Sequence, residues 1–84
     1  MKLKHFTAEW CQPCKMMKPI IKQVIEEHPE IEYEMIDIDQ NPDMAKVSGV
    51  SGVPTFILEN NGEVLANIVG AFPKNDFYQK LGLT

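Results

Sequence analysis

The stretch between a pair of cysteines at Cys11 and Cys14 and the dipeptide His28-Pro29 constrains this chain most. Met17, Ile20, Ile21, Val24 and Ile25 fall at i, i+3, i+4, i+7 and i+8, an apolar stripe down one side of a helix. The predicted helix runs from about Cys11 to Glu27. Pro19 lies inside it and is expected to kink it, because the proline ring displaces the carbonyl of the preceding turn. His28-Pro29 ends it, since a residue before proline avoids the helical region. A strand pattern flanks the helix on each side. Lys2 to Phe6 alternates charged and apolar residues, and Ile31 to Asp39 carries Ile31, Tyr33 and Met35 followed by Ile36 and Ile38. That second segment is expected to be a central, largely buried strand. A strand, an amphipathic helix and another strand form a crossover that joins parallel neighbours.

Turn chemistry divides the remainder. Asn41-Pro42 suits a helix start, with asparagine as the cap and proline at the first helical position. A short helix through about Val47 should stop at Ser48-Gly49. Thr55 to Leu58 reads as a strand, Asn60-Asn61-Gly62 as a tight hairpin turn that demands positive φ, and Glu63 to Val69 as the antiparallel partner. Pro73 opens a terminal helix carrying Phe77, Tyr78 and Leu81. The order β-α-β-α-β-β-α describes an α/β fold, a four-stranded mixed sheet with helices on both faces. No repeat or linker interrupts it. The 84 residues are read as a single domain spanning 1–84, burying about 63% of the surface of the unfolded chain.

Charge removes several functions from consideration. The net charge is −4, and all eight cations are lysines. Without arginine there is no bidentate phosphate clamp, and the acidic balance opposes nucleic acid binding. Residues 1–22 hold five lysines and one glutamate, whereas residues 23–43 hold eight acids and no base. Both blocks are read as solvated faces. No apolar run exceeds three residues, against the ~18 to 20 that a membrane span requires, so no membrane partner is expected. The first six residues lack the apolar core of a signal peptide, which makes a cytoplasmic location the expectation; the chain is expected to be a monomer.

Two cysteines are too few for a disulfide scaffold, and at this spacing they point to redox chemistry or metal. They sit where a loop enters a helix, so unpaired N–H groups and the macrodipole favour a thiolate. The pKa of Cys11 is expected to fall from ~8.5 into the range ~3.5 to ~7.5, making it a nucleophile. Cys14, three residues on, lies on the same face and can attack a mixed disulfide formed at Cys11. Pro13 fits the first turn without loss of a hydrogen bond, and Trp10 offers a flat apolar contact for a substrate. A purely structural role is weak, because so short a loop stabilises by only about 2 kcal/mol. Zinc would need both histidines, yet His28 lies roughly 25 Å from Cys11 by helix rise, so no metal site is assigned.

Ala8-Glu9-Trp10-Cys11-Gln12-Pro13-Cys14-Lys15 resembles the active-site segment of the thioredoxin family, with Gln12 where glycine is usual. Ile38-Asp39-Gln40-Asn41-Pro42, Gly49-Val50-Ser51-Gly52-Val53-Pro54-Thr55, Asn61-Gly62-Glu63-Val64 and Val69-Gly70-Ala71 are similar to thioredoxin segments in the same order. The resemblance implies a thioredoxin-like fold and a thiol–disulfide oxidoreductase, a protein disulfide reductase or electron carrier. It implies a cis Pro54 facing the cysteines, a Val53 backbone that pairs with the substrate, and Gly70 lining the same groove. No bound cofactor is needed beyond the redox-active cysteine pair. Reducing equivalents would come from NADPH through a thioredoxin-reductase-like flavoprotein. Disulfide-containing proteins such as a ribonucleotide reductase or a peroxidase would be the substrates.

The departures are local. The first strand starts almost at Met1, so the chain is similar to a minimal, glutaredoxin-sized member. His5 stands at the family's buried aspartate, Met35 at the lysine that commonly neighbours it, and Thr7 at a frequent second tryptophan. His5 then has two readings: a strand residue bonded to backbone, or the proton acceptor for Cys14. Two alternatives to the reductase remain. A glutaredoxin-like enzyme would use glutathione, although Gly70 to Asp76 matches its tripeptide anchors poorly. A Cys-x-x-Cys metal carrier would end in a strand, whereas this chain ends in a predicted helix.

Overall fold

The computed structural model describes residues 1–83. Its elements are β1 (Lys2–Thr7), α1 (Gln12–Glu27), β2 (Glu32–Asp37), α2 (Pro42–Val47), β3 (Thr55–Asn60), β4 (Glu63–Val69) and α3 (Lys74–Leu81). The order β-α-β-α-β-β-α is the one expected. The sheet runs β2-β1-β3-β4, with β1 parallel to β2 and antiparallel to β3, and β3 antiparallel to β4.

Each element has a local cause. α1 continues through Pro19 from its cap at Cys11 to His28, whose N–H bonds back to the Val24 carbonyl. The hairpin turn is the positive-φ type, with Asn61 at +54° and Gly62 at +83°. Asn41 takes the position before α2 but makes no side-chain cap. Its amide instead donates to the Asp37 carbonyl at 3.1 Å, closing the β2–α2 loop and departing from the capping role expected.

The place of β2 is a correction. It lies at the sheet edge rather than the centre, it is shorter than the Ile31–Asp39 span, and Met35 on it is 56% exposed. The two central strands are β1, which pairs with β2 and β3, and β3, which pairs with β1 and β4. Tyr33 and Met35 point to one face of the sheet and Glu32, Glu34 and Ile36 to the other, and the charged or exposed residues on both faces mark a half-solvated edge strand.

Strand alternation sends side chains to two cores. On one face Leu3, Phe56, Leu58 and Ile68 meet Met17, Ile21 and Val24 of α1 and Phe77, Tyr78 and Leu81 of α3. Phe56 and Phe77 meet edge to face with ring centroids 4.8 Å apart. On the other face Phe6, Ile36 and Ile57 meet Ala45 of α2. Parallel pairing of β1 and β2 brings the end of β1, the start of α1 and the β2–α2 loop together.

Candidate active site

β1 ends at Thr7, and the chain turns through Ala8, whose carbonyl accepts the Cys11 N–H at 3.1 Å. Cys11 is extended, with φ −90° and ψ 103°, and caps α1 through its sulfur. The Cys14 N–H donates to Cys11 Sγ at 3.2 Å. Sulfur here does the work that a serine or aspartate oxygen does at an ordinary cap, taking one of the unpaired amides of the first turn. Cys11 and Cys14 are joined by a disulfide, their Cα atoms 5.3 Å apart. Both are buried among Ala8, Ile38 and Val53. The first turn holds no acid, so nothing there opposes a thiolate on reduction. Gln12 and Pro13 are exposed beside the pair.

Three further segments converge. The Val53–Pro54 peptide bond is cis, Pro54 is fully buried, and its carbonyl accepts the Gly70 N–H at 2.9 Å. Val53 packs on the cysteine cluster, so the β3 and β4 ends meet α1 at one place. Gly70 has φ +107°, a conformation that L side chains rarely adopt. Trp10 is 65% exposed beside Cys11, and its indole Nε1–H donates to Asp39 Oδ2 at 2.8 Å.

A family model described as Thioredoxin matches residues 2–82. The chain belongs to the thioredoxin family. It is 41% identical over 68 residues to mitochondrial thioredoxin-3 of Saccharomyces cerevisiae, covering 81% of this chain and 54% of that one. Yeast thioredoxin-1 is also 41% identical over 68 residues, covering 81% of this chain and 66% of that one. The crystal structure of the oxidised form of yeast mitochondrial thioredoxin 3 superposes with a TM-score of 0.86 at 35% identity, over 98% of this chain and 77% of that chain. The chain thus spans about half the length of the first of these relatives and about two thirds of the second. The fold is the thioredoxin fold.

Within that fold His5 stands on the central strand β1, opposite Met35 of β2 and Phe56 of β3. It is wholly buried on β1, stacked on Phe56 at 4.5 Å, with Nδ1 2.9 Å from the Tyr33 hydroxyl. Its Nε2 has no protein partner. Burial, and secondarily the Lys18 ammonium, lower its pKa from the usual 6.5 to about 4, so the ring is neutral at pH 7. The backbone-bonded form foreseen for a bland histidine is replaced by the tyrosine contact. Met35, opposite His5 in the β1–β2 register, brings no charge to it.

Three residues beyond the predicted site contribute. Asp39 fixes the indole, and Asp37 Oδ1 fixes Asp39 by accepting its N–H at 2.8 Å. Tyr33 orients His5. Asp39 stood in a recognisable segment, but nothing in the sequence paired it with Trp10, 29 positions away. His28, at the far end of α1, contacts Glu30 and Tyr78. Among the described residues no cluster of three or more His, Cys, Asp or Glu side chains converges to hold a metal, and no helix is long and apolar enough to cross a membrane.

Proposed function

We propose that this thioredoxin-family chain is a thiol–disulfide oxidoreductase, acting as a protein disulfide reductase or electron carrier. The observation that carries it is the Cys11–Cys14 disulfide with Cys11 Sγ at the cap of α1, beside Val53 and the buried Pro54. In the reduced protein the Cys11 thiolate attacks a substrate disulfide, forming a mixed disulfide and releasing one substrate thiolate. Cys14 then loses its proton, and its sulfur attacks Cys11 Sγ. The second substrate thiolate leaves, the substrate gains two electrons, and the Cys11–Cys14 disulfide closes. Trp10 supplies an apolar contact, the Val53 backbone and Pro54 hold the substrate chain, and Gly70 leaves room for it. Gln12 and Pro13 tune the potential of the pair.

No bound cofactor enters this cycle. A thioredoxin-reductase-like flavoprotein drawing on NADPH returns the electrons, and disulfide-containing proteins such as a peroxidase or a ribonucleotide reductase receive them. A reducing compartment such as the cytoplasm suits that direction of flow. Residues 1–84 act in it as one domain.

We assign the Cys14 proton to His5. It sits on the sheet face that packs under α1, the helix carrying Cys14, and its neutral form leaves one ring nitrogen able to accept. Burial makes it a weak base, so its effect should appear in the pH profile before it appears in the maximal rate.

The test is reduction of a model protein disulfide, driven either by a thioredoxin reductase with NADPH or by glutathione. Wild type should turn over in the first arm, Cys11→Ser should be inactive, and Cys14→Ser should accumulate the mixed disulfide. Turnover with glutathione alone would favour the glutaredoxin-like alternative and overturn the reductase assignment. For His5, identical pH–rate profiles in wild type, His5→Gln and His5→Ala would overturn the proton-acceptor role.

A further inference from the structure

His5 is a polar ring buried in the middle of the sheet. From α1 the Lys18 ammonium acts on it, and that cation, like burial itself, disfavours a second proton. The ring is therefore neutral at pH 7 and carries a single N–H, on Nδ1 or on Nε2. Two neighbours hold it. Phe56 of β3 stacks on the ring with centroids 4.5 Å apart and planes 15° apart. Tyr33 of β2 reaches it diagonally: the register pairs Tyr33 with Leu3, two residues earlier on the same face, and its hydroxyl comes within 2.9 Å of Nδ1.

That one contact decides where the hydrogen sits. A hydroxyl can donate or accept, so the two tautomers differ in what they leave at Nε2, which is buried and has no partner. Were Tyr33 the donor, Nε2 would carry an N–H with nothing to receive it. Orphaned buried N–H groups are rarer in folded proteins than acceptors short of a partner. With Nδ1–H donating to the Tyr33 oxygen, Nε2 keeps a bare lone pair instead. Tyr33 is placed for the accepting role, because it is half-buried and lines the open groove between α1 and β2 with Lys18, Ile21 and Lys22, where its own O–H can turn to water.

We infer that Tyr33 is a positioning residue, which accepts the Nδ1–H of His5 and fixes the tautomer whose buried Nε2 is the free proton acceptor. Its part in the reaction rests on the assignment of the Cys14 proton to His5, since that transfer needs an unprotonated ring nitrogen and Tyr33 occupies Nδ1. The hydroxyl touches neither cysteine and acts only through the imidazole.

The tautomer is read by a two-bond proton–nitrogen correlation spectrum of protein carrying isotope-labelled histidine. At pH 7 His5 should show a pyrrole-type Nδ1 and a pyridine-type Nε2, the signals of His28 being identified by their loss in His28→Gln. Tyr33→Phe keeps the aromatic ring and removes the oxygen, so with unchanged circular dichroism the ratio of Nδ1–H to Nε2–H rings should fall about five- to tenfold. Attack of Cys14 on a mixed disulfide, followed in a single turnover, should slow with it, because fewer rings present a free Nε2. Adding Tyr33→Phe to His5→Gln should slow that step no further. A pyridine-type Nδ1 in the wild type, or a tautomer ratio indifferent to Tyr33→Phe, would overturn the inference. A pyrrole-type Nδ1 that is lost in Tyr33→Phe, combined with a Cys14 step that His5→Gln leaves unchanged, would uphold Tyr33 as the residue that sets the tautomer and overturn the Cys14 assignment alone. If Tyr33→Phe does not fold, the wild-type spectrum decides by itself.

Discussion

Replacing His5 with leucine removes one buried titration from the fold and leaves the surface charges in place. His5 is wholly buried, and its pKa stands near 4 in the folded protein against about 6.5 when the chain unfolds. A histidine whose folded pKa is depressed contributes stability above the unfolded value and loses it as pH falls, because the unfolded state binds the proton first. The loss opens near pH 6.5, reaches a slope of at most about 1.4 kcal/mol per pH unit, and levels off below pH 4. Over that window the shift amounts to about 3 kcal/mol. That is a large part of the stability of a domain this size. Urea denaturation of the oxidised protein, followed by circular dichroism at pH 7.5, 6.5, 5.5 and 4.5, gives the wild-type curve. The same series on His5→Leu carries every carboxylate contribution but not the imidazole. The wild-type minus variant difference should fall by about 2–3 kcal/mol between pH 7.5 and 4.5. Curves that run parallel within about 0.5 kcal/mol would refute the claim that burial holds His5 neutral.

Three other outcomes are expected. Phe77→Ala empties the junction with Phe56 and should lower stability by about 3–5 kcal/mol, measured by denaturant titration. Gly70→Ala forces a Cβ onto φ +107° and should cost about 1–3 kcal/mol by the same assay, although the added carbon meets only the Phe72 ring at ordinary contact distance. Asp39→Ala frees the Trp10 indole and should cost under about 1 kcal/mol of stability, while raising the amplitude of tryptophan motion in time-resolved fluorescence anisotropy; an unchanged anisotropy decay would show that the bond does not hold the ring.

Much of the architecture was legible in the chain. The stripe from Met17 to Ile25 located α1, Asn61-Gly62 located the hairpin, and the cysteine spacing located the site. These signals act over a few residues, within one turn of helix or one turn of chain. The segment Ile31 to Asp39 was legible as a strand, but its apolar count suggested a central position that it does not have. Periodicity records which residues of a strand are apolar; it does not record which strands lie beside it.

The same limit governs the site. The sequence by itself determined that two thiols stand at a helix start, that the pair belongs to a thioredoxin-like pattern, and that His5 replaces a charged group on the opening strand. Only the tertiary structure decided that Trp10 is held by Asp39, that His5 meets Tyr33 and Phe56 with one nitrogen unpartnered, that Gly70 bonds to Pro54, and that β2 and β4 are the edges of the sheet. Those pairings join residues far apart along the chain. They form because burial of the two cores brings the strands into one order, and a pKa or a free edge exists only once that order has removed some groups from water and left others exposed.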